Sequence, residues 1–91
     1  MISYEKANII SMRNLEDFII AKGYEPSSVW NAFAEGVEND SYNYWDLEIL
    51  HDAIEDADYN ERSNEIAIYN CVIEAIHNGE IPNEFLLNVF W

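Results

Sequence analysis

Basic residues are scarce in this 91-residue chain. Lys6, Arg13, Lys22 and Arg62 stand against eighteen Asp and Glu, for a formal net charge of −14. A surface of that sign repels nucleic acid and anionic lipid and attracts cationic protein surfaces, so direct DNA or RNA binding is the first function to discard. Cysteine is nearly absent too. Cys71 stands alone, which rules out an internal disulfide and points to a reducing, cytoplasmic setting. With only Gly23, Gly36 and Gly79, no glycine-rich loop exists to cradle a phosphate. Apolar runs last a few residues, far short of a membrane span, and no basic segment precedes an apolar one at the start as a secretory signal would require.

What is present is a substantial apolar fraction, 49%, with three Trp, six Tyr and four Phe. That is too hydrophobic for a disordered acidic tail, and the length suits one domain, residues 1–91. The periodicity predicts an all-α protein of five or six short helices around a central buried one. "SYEKANIIS" forms a first helix capped by Ser3, or a short strand at Ile9 and Ile10. Asn14 caps a helix running to Gly23, and Pro26 opens another that stops around Gly36. Asn43 caps the next, with Asp46 in a capping-box position. Residues 63–77 are apolar nearly all round, the mark of a buried helix, with Ile66, Tyr69, Val72, Ile73 and Ile76 inside. Pro82 opens a last short helix through Phe85, Leu86, Val89 and Phe90.

Motifs for chemistry are weak. Asp56, Asp58 and Asn60 alternate as in a calcium loop, but Glu61 replaces the required glycine and Ala67 the closing Glu. His51 and Glu55 lie four apart beside Asp52 without a metal-binding signature, and Cys71 has no basic neighbour to activate it. The expectation is a binding protein without catalytic residues, cofactor or metal.

The distinctive stretch is "WDLEILHDAIEDADYNE", with Asp46, Glu48, Asp52, Glu55, Asp56, Asp58 and Glu61 and no base. At about 100° per residue, Leu47, Leu50, Ala53, Ile54 and Ala57 fall in one arc, and Glu48, Asp52, Glu55 and Asp56 in the opposite one. Glu48, Asp52 and Asp56 rise about 6 Å per step along a helix. Duplex DNA carries one charge per roughly 1.7 Å of axis, so several such helices would present carboxylates at phosphate-like spacings. Glu48, Asp52, Glu55, Asp56 and Asp58 are the leading partner-binding candidates, with Glu35, Glu38, Asp40, Glu61, Glu65 and the aromatic Trp45 beside them.

The helical pattern, the acidity and the stretch Leu50-His51-Asp52-Ala53-Ile54 resemble the Ocr-type phage antirestriction proteins, acidic helical mimics of DNA. The resemblance covers a handful of residues, and this chain ends in apolar "FLLNVFW" where that family carries an acidic tail. It implies an inhibitor that occupies the DNA site of a restriction enzyme or another host defence protein such as a CRISPR effector, acting in the host cytoplasm as a homodimer. The alternative is an immunity-type inhibitor of one basic protein, such as a nuclease toxin, binding through a compact epitope of Tyr42, Tyr44 and Trp45 beside Glu48 and Asp52.

Overall fold

The computed structural model describes residues 8–37 and 41–89. They form a small α/β domain, which corrects the all-α expectation: four helices pack on a three-stranded mixed sheet. In chain order the elements are β1 (Ile9–Ser11), α1 (Met12–Ile20), α2 (Pro26–Phe33), β2 (Ser41–Asp46), α3 (Leu47–Tyr59), α4 (Ser63–His77) and β3 (Glu84–Val89).

The two segments misjudged by periodicity are β2 and β3. The segment read as the last helix is the central strand. β3 runs parallel to β1, with Ile9 opposite Leu86, and antiparallel to β2, from Ser41 opposite Val89 to Asp46 opposite Glu84. Even on the outer face, the central-strand Leu86 is buried between its cross-strand neighbours Ile9 and Tyr44, so the apolar residues of β3 run on without alternation and imitate a short buried helix. Phe85, Leu87 and Val89 enter the main core, and Leu86 is buried on the opposite face. In β2 the tyrosines and tryptophan that obscured the period suit a pleated strand. Its last residue, Asp46, is the true N-cap of α3: the extended Asp46 carboxylate accepts the Ile49 backbone N–H at 2.9 Å. The cap expected at Asn43 is therefore three residues too early, and Trp45 belongs to a strand.

Elsewhere most local signals hold, although the first cap is displaced. Ser11, not Asn14, caps α1, its hydroxyl accepting the Asn14 N–H at 3.1 Å. Met12, Leu15 and Ile19 share the buried face of α1. Gly23 follows at φ +101, a conformation side chains rarely adopt. Pro26 opens α2 at its first turn, and Val29, Ala32 and Phe33 face inward. α4 packs against α1, α2 and α3. It buries Ile68, Tyr69, Val72, Ile73, Ala75 and Ile76, whereas Ile66 is only half-buried. Residues 1–7, where the Ser3-capped helix was expected, lie outside the described residues, and Ile9 and Ile10 take the strand alternative.

An aromatic cluster joins sheet to helices. The Phe33 ring meets Trp45 edge-on at 4.7 Å between centroids and Tyr69 at 5.4 Å, and Trp45 stacks on Tyr69 at 6.0 Å. The Tyr69 hydroxyl donates to the Ala32 carbonyl, tying α4 to α2. Truncating a fully buried central-strand ring removes its transfer free energy and leaves a cavity. Phe85→Ala is expected to cost about 3–5 kcal/mol in urea unfolding followed by circular dichroism, whereas Tyr42→Ala, on the exposed face of β2, is expected to stay within roughly 1 kcal/mol.

Candidate functional site

α3 presents the acidic face. Leu50 and Ala57 are buried, and Leu47, Ala53 and Ile54 pack partly against the core. That anchorage turns Glu48, Asp52, Glu55, Asp56 and Asp58 outward, and all five are exposed. Among the described residues none of the five is paired with a cation; the ion pairs are Lys22–Glu80 and Arg62–Glu35. Glu48 lies in the first turn, where the helix dipole favours an anion. Asp56 and Asp58 lie at the opposite end, where it does not, and no basic residue occupies that last turn. The fold therefore holds these two carboxylates against both the dipole and their neighbours.

The end of α3 is built with an unusual residue. The Glu61 N–H donates to the Asp58 carbonyl at 3.1 Å and the Arg62 N–H to the Ala57 carbonyl at 2.8 Å, closing the helix in a Schellman arrangement. Its left-handed position is normally glycine; here it is Glu61, at φ 58. Relieving the Cβ crowding, Glu61→Gly is expected to raise stability by roughly 1 kcal/mol, read as a higher melting temperature, because the αL conformation costs a non-glycine residue about that much.

The weaker candidates divide. Glu35 receives both arms of Arg62, at 2.6 and 3.3 Å, and the guanidinium holds its carboxyl below the ordinary Glu range. This fork bolts the turn after α2 to the α3–α4 junction, so Glu35 is already engaged. Glu65, at 9% exposure, is buried rather than presented. Trp45 is half-buried in the aromatic cluster, with its ring turned to Phe33 and Tyr69. Glu38 and Asp40 lie outside the described residues. Sequence reasoning missed Tyr59, which is 88% exposed. The signal was available: 48, 52, 55 and 59 follow the i, i+4, i+7, i+11 steps of one helical stripe.

His51 is exposed on α3, and among the described residues no group of three His, Cys, Asp or Glu is gathered to hold a metal ion. Cys71 lines a shallow groove of about 440 Å³ with Lys22, Tyr24, Glu74 and Glu80, and burial pushes its thiol up, away from the reactive thiolate. No helix among the described residues is long and apolar enough to cross a membrane.

Tyr69 gives the site's base a pH limit. Burial, then the nearby Glu65 carboxylate, push its phenol up to about 12. The neutral phenol is thus favoured in the fold relative to an unfolded tyrosine near pH 10. Its contribution is complete below about pH 10 and is lost as pH rises through about 12. Unfolding with base, followed by tyrosinate absorbance, is expected to show Tyr69 ionising late and together with loss of near-ultraviolet dichroism; Tyr69→Phe should remove that step and leave the late ionisation of Tyr44, whose phenol is also pushed up by desolvation and then by its hydrogen bond to Glu84.

No family model, curated protein or solved structure matches this chain.

Proposed function

We propose that the chain is an acidic inhibitor of the phage type, which binds a basic groove in a host defence protein in place of DNA. The observation that carries this reading is the exposed row Glu48, Asp52, Glu55, Asp56 and Asp58 on one helix, none of them paired with a cation among the described residues. Single-sign charge on a well-packed helix raises the compact state's self-repulsion without improving its core. In a cationic groove the same charge steers association and replaces phosphate as the counter-charge. The residues act by position and charge, with no catalytic step, in the cytoplasm of the host cell; two copies side by side would lengthen the row.

A second reading draws support from Tyr59. A tyrosine 88% exposed among Asp56, Asp58 and Glu61 has the composition of a compact binding hot spot, as an immunity-type inhibitor of a single basic protein would use. The two readings differ in what they exclude. A mimic and DNA compete for one groove, whereas a single-epitope inhibitor tolerates DNA on its target.

The test is a competition titration of a restriction enzyme or CRISPR effector with labelled duplex at several salt concentrations. The wild-type protein is expected to displace duplex, and to do so less well as salt rises, since exposed charges are screened over about 8 Å at physiological ionic strength. The triple variant Asp52→Asn, Glu55→Gln, Asp56→Asn is expected to weaken displacement at least tenfold while keeping its helical dichroism. Unchanged displacement by that variant would reduce the row to an ordinary solvated face, and a stable ternary complex with duplex would favour the single-epitope reading.

A further inference from the structure

We propose that the free edge of β2 is a docking site for an extended, cationic segment of a partner protein, added as a fourth strand beside Ser41–Asp46. This inference is independent of the acidic row on α3. In the order β1-β3-β2, β2 is an edge strand among the described residues, and no described element packs alongside its outer side. Such an edge carries a row of backbone N–H and C=O groups open to another chain. Proteins usually guard it with lysine, proline, a bulge or a very short strand. β2 has none of these. "SYNYWD" is six residues long, contains no Lys, Arg or Pro, and keeps an unbroken register against β3 from Ser41–Val89 to Asp46–Glu84.

The chemistry of the adjoining sheet face selects the occupant. The register places Tyr42, Tyr44 and Asp46 on the same face as Glu84, Leu86 and Asn88, with Ile9 beyond. Tyr42 is 53% and Ile9 57% exposed, and the Tyr44 hydroxyl donates to Glu84 at 2.9 Å. This set holds two carboxylates, two phenol rings and no cation, a surface that favours arginine or lysine side chains alternating along an added strand. A second copy of this chain is the poorer occupant. It would bring up a second chain of net charge −14 and set like-charged surfaces side by side.

The probe is a synthetic ten-residue peptide alternating arginine and valine, with two further versions N-methylated on one or the other set of alternate amides. Binding at physiological salt is measured by titration, and amide exchange is read by NMR. The expected result is protection of β2 amides, and loss of at least tenfold in affinity for one N-methylated version but not the other, since only one peptide edge faces β2. Tyr42→Lys, a change at an exposed position, should also weaken binding at least tenfold, while the triple variant of α3 keeps the β2 protection. Protection confined to α3, equal affinity of all three peptides, or β2 amides protected by concentration-dependent dimerisation without peptide would each overturn the proposal. Because the α3 triple variant is scored separately, failure here leaves the reading of the acidic row untouched.

Discussion

β3 is the element on which the rest depends. β1 and β2 do not pair with each other; in the sheet each is hydrogen-bonded through β3, the last of the described elements in chain order. Until Glu84–Val89 is in place, the ladder bonds of both flanking strands are open, including the 2.6 Å bond from the Leu86 N–H to the Asn8 carbonyl. The same strand puts Phe85, Leu87 and Val89, none more than 1% exposed, into the core that α1 and α4 complete. Hydrogen bonding and apolar burial thus arrive together, over sequence separations of about forty to eighty residues. Contacts that distant close late, since loop entropy is lost before they repay it. The helices can form early, but the chain becomes one cooperative unit only when its last strand inserts.

Charge is the second constraint, and the fold manages it by placement rather than by neutralisation. Two exposed ion pairs use Lys22 and Arg62, and pairs of that kind contribute little each in water. The Arg62 fork on Glu35 matters more for where it sits, across the turn that joins the acidic helix to the central one. The remaining carboxylates of α3 point into solvent, where self-repulsion is weakest. Among the described residues only Glu65 is a buried carboxylate, and it adds to burial in raising the Tyr69 phenol. The core beneath this surface is aliphatic and aromatic.

What could be read from the sequence was local. The start of α2 at Pro26, the turn at Gly23, the span Ser63–His77 of α4 and the outward set Glu48, Asp52, Glu55 and Asp56 all follow from caps, breakers and a 3.6-residue period. The sheet could not be read in that way. β1 is three residues long, β2 mixes polar and aromatic residues without a clean alternation, and β3 is apolar at four of its six positions. Each is a strand because of its neighbour, and pairing between positions 9, 44 and 86 leaves no trace in a window of a dozen residues. The same limit applies at the site. Exposure of α3 was legible from its amphipathic pattern, but the engagement of Glu35, the burial of Glu65 and the inward turn of Trp45 depend on tertiary contacts.

Asp46 shows how these levels meet. Its backbone ends the pairing of β2 with β3, opposite Glu84, and its carboxylate caps α3 through the Ile49 N–H. The strand edge and the acidic helix are therefore one continuous piece of chain with no loop between them. A loop would let the helix swing, whereas a direct strand-to-helix junction fixes its direction relative to the sheet. The sheet in turn is fixed by β3, and the helix is pressed to α4 through Leu50 and Ala57. Rigidity is what an array of like charges needs. Mobile carboxylates would relax away from one another in the free protein and would have to be gathered again on binding, at a cost in entropy. A capped helix with a Schellman end holds them at helical spacing. The strained Glu61 fits this logic: it continues the acidic surface past the last turn, at a position where glycine would have been more stable and uncharged.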